Sequence, residues 1–102
     1  MPWPSSLLHD AQLVSVRLDW KPGTLRFEFI PHDLYPDQPE VIEVRGLHRA
    51  EFPRGFDWGP SNSVLEAKEP EPLEDGSRRF VVAMQSGDDL VVVADEFILD
   101  PR

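Results

Sequence analysis

The chain has 102 residues, of which 40% are hydrophobic and 28% are charged, so it has the size and composition of one globular domain. Nineteen acidic residues against ten basic ones give a net charge of −9, which disfavours nucleic acids and anionic membrane surfaces as partners. The absence of cysteine excludes disulfides, thiol catalysis and Cys-ligated metal centres, and it favours a reducing cytoplasm. We therefore expect a single domain over residues 1–102 that needs no cofactor, and the strand pattern along the chain predicts that this domain is all-β.

The N-terminal segment has no basic region before Leu7 and Leu8, so no secretory signal is expected. The longest apolar runs have five residues, far fewer than the roughly 20 that a membrane helix needs. Ser5 or Ser6 is expected to cap one or two helical turns over 7–11.

The first strand is predicted over residues 12–20, where apolar and polar residues alternate. A turn with Pro22 and Gly23 follows, and a second alternating run over 25–29 completes a hairpin. A third strand is expected over 40–45, with a bulge or bend at Gly46 and a continuation over 47–52.

The remaining segments alternate between loops and short strands. A candidate strand over 64–68 is followed by an acidic, proline-rich loop over 69–76, in which Asp75 and Gly76 favour a turn. The clearest hairpin comes last, with strands over 79–86 and 90–94 around Gly87-Asp88-Asp89, and the pairing is expected to continue toward Leu99.

The strands of this last hairpin are apolar on both faces, which is typical of central strands with something packed on each side. The cover could be a second sheet, a helix or another subunit, and the last option favours a homodimer. Six or seven strands with this spacing predict an all-β, mainly antiparallel sandwich or open barrel with at most one short helix. The expected core is Val14, Val16, Leu18, Leu25, Phe27, Phe29, Ile42, Val44, Phe80, Val82, Leu90 and Val92.

Few residues are suited to catalysis or metal binding, and they lack the spacing that such sites need. The histidines lie in His9-Asp10, in His32-Asp33 and at position 48, without the spacing of a metal site, so no metal site is assigned. Because adjacent strand residues point to opposite faces, His9 and Asp10 are not expected to converge. Ser61 is the best-placed serine, but no G-x-S-x-G motif surrounds it. Asp88 and Asp89 are expected at a solvated hairpin tip, so no catalytic residue is assigned.

The most unusual segment is the loop over 56–63, in which an aromatic pair, a Gly-Pro break and small polar residues are compressed into eight positions. As a binding loop it would offer Trp58 as a rigid apolar contact and its polar residues as adaptable hydrogen-bonding groups. As a structural loop it would plug the open end of the fold. The candidate binding residues are Phe56, Trp58, Ser61, Asn62 and Ser63, with His9 and Asp10 nearby.

Three segments carry a resemblance to a group of small bacterial all-β proteins. They are Trp58–Val64, which matches a W-G-P-S-x-S-[IV] loop, Met84–Asp88, which matches an M-Q-S-G-D hairpin, and Leu8–Ala11, which matches an L-H-D-A start. The chain is also loosely similar, in size, acidity and strand content, to immunity proteins of polymorphic toxin systems. The resemblance implies the all-β fold and no particular site residue.

Two functions follow as expectations. The first is a non-enzymatic protein-interaction module, immunity-like in its specific form, whose acidic segments at 66–75 and at Asp88-Asp89 meet a basic surface of a partner protein. The alternative is a domain that binds a small molecule or carbohydrate, or a weak hydrolase, with Trp58 as a stacking platform.

Overall fold

A computed structural model describes residues 7–34, 38–55 and 62–100 of the chain, and these residues form an all-β fold of seven strands without a helix. The strands are β1 (Gln12–Asp19), β2 (Thr24–Ile30), β3 (Val41–Glu51), β4 (Val64–Ala67), β5 (Glu71–Pro72), β6 (Arg78–Met84) and β7 (Asp89–Leu99). They make one open sheet in the order β1-β2-β3-β7-β6-β4, with β5 beside β6 and every pairing antiparallel. The all-β prediction is confirmed. Within the described residues no helix is long and apolar enough to span a membrane.

The sheet curls so that its two outermost strands meet at one end. Gln12 at the start of β1 bridges to Ser63, just before β4. Backbone hydrogen bonds run from Leu13 N–H to Asn62 O (2.6 Å) and from Val64 N–H to Ala11 O (2.8 Å). One side of the sheet is therefore concave and encloses the core, and the other is convex.

The core lies on the concave side and is centred on Phe27. Its ring centroid lies 5.9 Å from Phe29, 6.2 Å from Phe52 and 6.4 Å from Phe80. Burying each large apolar side chain of this kind contributes about 1.5–3 kcal/mol. Nine of the twelve expected core residues are buried here, namely Leu25, Phe27, Phe29, Ile42, Val44, Phe80, Val82, Leu90 and Val92.

The prediction for the first strand is wrong in its burial, although right in its position. Val14, Val16 and Leu18 are 56%, 37% and 44% exposed. Val16 and Leu18 do lie on the concave side, since they stand opposite Phe27 and Leu25 in the β1–β2 pairing. They stay exposed because β1 is an edge strand. Trp20, expected to continue this apolar face, lies in the hairpin turn and is 86% exposed.

The N-terminal segment supplies core residues in place of a helix. Residues 7–10 form a turn that is closed by a hydrogen bond from Ala11 N–H to Leu8 O (2.9 Å), and Leu7 and Leu8 are fully buried. Ala67 N–H donates to Leu7 O (3.1 Å), so this segment covers the outer edge of β4. Ser5 and Ser6, the expected caps, lie outside the described residues.

The irregularity predicted at Gly46 is confirmed, and the extra residue of the bulge is His48. The β3–β7 register shifts between Leu47 and Arg49. Gly46 has a φ of +66°, and a Cβ there would lie 2.9 Å from the Cβ of Asp95. Glycine is required at this position by both the backbone conformation and the close approach of Asp95.

The last hairpin is central in the sheet, as expected, but only one of its faces is covered by a core. On the convex side the described residues place no second layer over the strands, and the side chains there are half-buried by their neighbours: Val81, Ala83, Val91 and Val93. The expected second cover is therefore absent from the described part of the chain.

Candidate functional site

The described residues of the three segments that carry the resemblance meet where the start of β1 bridges to Ser63, just before β4. We call this place the corner and define it by His9, Asp10, Asn62, Ser63 and Gln85. Gln85 Nε2 donates to Asp10 Oδ1 (2.8 Å), and Gln85 N–H donates to Ser63 O (2.9 Å). The fold thus brings four of the expected binding residues together with Gln85, which reasoning from the sequence did not select. Its place in the M-Q-S-G-D segment was the available signal.

The expectation that His9 and Asp10 diverge is wrong. Both lie in a turn rather than in a strand, and Asp10 has a φ of +60°. His9 Nε2 lies 3.5 Å from Asp10 Oδ2, and His9 Nδ1 lies 2.7 Å from Leu65 O. Since a carbonyl oxygen only accepts, Nδ1 carries the hydrogen in that bond.

The hydrogen bonds within the corner have a structural role. The side chains of His9 and Gln85 bond to backbone carbonyls of β4, and Gln85 also bonds to Asp10, which ties the N-terminal turn to β4 and to the end of β6. Asn62 and Ser63 accept hydrogen bonds through their backbone carbonyls. Within the described ranges no three histidine, cysteine or acidic residues are grouped closely enough to hold a metal ion. Phe56, Trp58 and Ser61, the remaining expected binding residues, lie outside the described residues.

A cavity of about 390 Å³ opens beside the corner on the concave side. Most of its lining is apolar, and Ser15, Arg54, Asn62 and Asp88 add polar groups. Arg54 and Asn62 flank residues 55–61 in the sequence, and both line this cavity. The apolar lining is Leu13, Val14, Val16, Phe52, Pro53, Met84 and Leu90.

The expectation that Asp88 and Asp89 both lie at a solvated hairpin tip is wrong for Asp88, although Asp89 is exposed. Asp88 is only 6% exposed and turns inward. Its Oδ2 accepts a hydrogen bond from the Ser86 hydroxyl (2.9 Å), and its Oδ1 accepts one from Gly55 N–H (3.4 Å). Asp88 therefore links the β6–β7 turn to the chain that leaves β3. Asp89 is exposed on the convex side.

Asp89 contributes to a second concavity, of about 310 Å³, on the convex side of β4 and β6. We call it the acidic groove. Its floor is formed by Val81 and Ala83, and its rim carries four carboxylates and two cations: Glu66, Glu69, Glu71, Asp89, Lys68 and Arg79. Three of these carboxylates come from the acidic segment over 66–75, so the fold brings that segment and the last hairpin to one surface.

The strand register explains why this surface forms. Glu66 stands opposite Ala83, which stands opposite Asp89, so their side chains share the convex face. Two residues further along, Val81 stands opposite Val91 on the same face. An apolar strip thus runs across the two central strands, with acidic residues at its end.

A histidine with a raised pKa lies away from the corner and the cavity. His48, at the β3 bulge, approaches Asp95 Oδ1 with its Nε2 (2.7 Å). The hydrogen bond and the negative charge of Asp95 raise the pKa of His48 above its usual range. Both side chains are at least half exposed, which is typical of a surface pair rather than a catalytic dyad.

Comparison of the chain with protein-family models, with curated proteins and with solved structures finds no match. The assignment of function therefore depends on the geometry of these surfaces.

Proposed function

We propose that the chain is a non-enzymatic protein-interaction module that binds an extended basic segment of a partner protein in the acidic groove. The observation that carries this proposal is the half-buried floor of Val81 and Ala83 inside a mainly acidic rim. A floor of this kind suits the aliphatic stem of an arginine or lysine, while the rim carboxylates suit its charged head.

Charge supports the same class of partner. The rim carries four carboxylates against two cations, and one of these cations, Lys68, lies 3.9 Å from Glu66. The whole chain has a net charge of −9, which speeds encounters with basic proteins. In the immunity-like form of this proposal, the basic segment belongs to a toxin whose activity is blocked when the segment is covered.

A titration with a short acetylated peptide of alternating arginine and valine tests the proposal. Backbone amide shifts in ¹H–¹⁵N spectra are expected to change at Glu66, Glu71, Ala83 and Asp89. Neutralising Glu66, Glu71 and Asp89 together (E66Q, E71Q and D89N) is expected to weaken binding about tenfold, since each exposed ion pair contributes about 0.2–1 kcal/mol.

The matched control neutralises three exposed or half-exposed carboxylates outside the groove, Glu28, Glu43 and Glu96, each to glutamine. It produces the same change in net charge and should alter the affinity by less than about twofold. Equal losses in both triple variants, or shifts spread evenly over all acidic surfaces, would show non-specific attraction and contradict the proposal.

The cavity favours a second candidate function, the binding of a small and largely apolar molecule. Its volume falls in the range of ligand sites, which is about 300–1,000 Å³, and its lining is mostly apolar with a few polar groups. Shifts in the same titration that are confined to Leu13, Met84 and Leu90, with none in the groove, would favour this candidate over the first.

A further inference from the structure

The outer edge of β1 is a second surface of the described structure, separate from the acidic groove. The edge of β4 is covered by the N-terminal turn, as described above. In the described part of the chain, β1 pairs with β2 on one side, and on the other its first two residues contact Asn62 and Ser63, just before β4. Beyond a bulge between Leu13 and Ser15, the straight part of β1 has an uncovered edge in the described structure.

The direction of the backbone groups on this edge follows from one hydrogen bond. Phe29 N–H donates to Glu40 O (2.8 Å), on the β3 side of β2. Backbone groups alternate in direction along a strand, so those of Phe27 and Leu25 also point away from β1. Val16 and Leu18, their partners across the β1–β2 ladder, therefore direct their own N–H and C=O groups toward the free edge.

The side chains along this edge are self-complementary about Leu18. Arg17 and Asp19 flank Leu18 on the convex face, and their side chains are 3.4 Å apart (Nε to Oδ2). In an antiparallel pair of two copies centred on Leu18, each Arg17 stands directly opposite Asp19 of the other copy. On the concave face, Leu18 meets Leu18 of the other copy, and Val16 lies diagonally beside that Leu18.

The neighbouring register is disfavoured by the same charges. Centred on Arg17, the pairing would place two arginines opposite each other, which is destabilising. It would also bring the bulged Val14 into the contact. The register centred on Leu18 avoids both problems and keeps the concave faces of the two copies on the same side of a continuous sheet.

We propose that the chain forms a symmetric homodimer through antiparallel pairing of β1 with β1, centred on Leu18. The pairing satisfies the outward N–H and C=O groups of Leu18, because each Leu18 exchanges both hydrogen bonds with Leu18 of the other copy. It also covers the exposed apolar side chains of Val16 and Leu18.

Sedimentation equilibrium of the full chain over a concentration series tests the dimer with charge reversals. Arg17→Asp and Asp19→Arg each place like charges opposite each other at two positions, and each is expected to raise the dimer dissociation constant at least about tenfold. Mixing the two variants should restore dimers, since every opposed pair in the heterodimer then has opposite charges. The double variant R17D/D19R should dimerise as the unmodified chain does.

Arg45→Asp is the matched control, because Arg45 lies on β3 away from the free edge and has a similar contact with Glu43 (3.1 Å). It should leave the dissociation constant within about twofold of the original, apart from screened long-range repulsion. Circular dichroism of each variant establishes that it folds.

Three results would overturn the dimer: an unmodified chain that stays monomeric at every concentration, single reversals without effect, or a mixture of the two variants that stays monomeric. None of the reversed residues lies in the acidic groove. Peptide binding by R17D therefore separates failure of the dimer from failure of the proposed function.

Discussion

His48 shows at the level of single residues how one irregular position creates a surface interaction. The bulge places its imidazole against Asp95, and Gly46 leaves the room that the aspartate needs. The pKa of His48 is raised because the proton is held by a hydrogen bond and by the negative charge of Asp95. The stabilisation from this pair is complete below the ordinary value of 6.5 and is lost as the pH rises through the higher pKa of the folded state.

An NMR titration of the His48 ring protons checks this interpretation. Asp95→Asn should bring the pKa of His48 back toward 6.5, because it removes the charge and keeps the shape of the side chain. Glu96→Gln, one position further along β7, makes the same change in net charge and should leave the titration in place. A His48 pKa unaffected by Asp95→Asn would show that the pair does not form in solution.

Asp75 and Asp88 show how far a sequence predicts the surroundings of single polar residues. Asp75 was expected in a turn, and it accepts hydrogen bonds from the N–H (2.9 Å) and the hydroxyl of Ser77, which lower its pKa. Asp88, in an equally turn-like context, is buried instead. In that buried position it accepts a hydrogen bond from Gly55 N–H, a residue 33 positions away along the chain, which local turn chemistry cannot indicate.

At the level of the strand, β1 shows that a sequence pattern predicts the position of a strand better than the exposure of its side chains. Alternation predicted where the strand lies and that Val16 and Leu18 share its concave face, but it missed the bulge at Val14 and the turn at Trp20. It could not predict that Val16 and Leu18 stay exposed, because that depends on the order of strands in the sheet. Strand order is set by contacts between distant segments, such as the pairing of β3 with β7.

The direction of the β1 backbone can be tested with two proline substitutions, measured by urea unfolding at a concentration where the chain is monomeric. Leu18→Pro removes an N–H that points to the free edge and should lower the free energy of unfolding by less than about 1 kcal/mol. Arg17→Pro removes an N–H that bonds to β2 and should cost about 1–3 kcal/mol.

The two substitutions lie one residue apart in the same strand, so each is the control for the other. A larger loss from Leu18→Pro than from Arg17→Pro would mean that the backbone groups alternate in the opposite phase. The edge proposed for the dimer would then be wrong as well, since it requires Leu18 to face outward.

On the scale of the whole molecule, a single curled sheet encloses the core on its concave side. The core is covered less completely at β1 than at the central strands. The core is closed around Phe27 and the central strands and is open at β1, beside the cavity. The sequence predicted the central strands because their apolar residues are buried whatever the strand order. It could not predict the corner, because His9, Ser63 and Gln85 meet only when the two ends of the sheet come together.

Because the core covers the concave face unevenly, we expect a valine-to-threonine substitution to lower the free energy of unfolding by different amounts at two positions on that face. Val82→Thr replaces a methyl group by a hydroxyl at a residue that is 1% exposed, so it should lower the free energy of unfolding by about 1–3 kcal/mol. Val16→Thr makes the same change at a residue that is 37% exposed and should cost less than about 0.5 kcal/mol. Urea unfolding of the monomeric chain measures both. Equal losses would mean that β1 is as well covered as the central strands, which would contradict both the uneven core and the exposed edge on which the dimer depends.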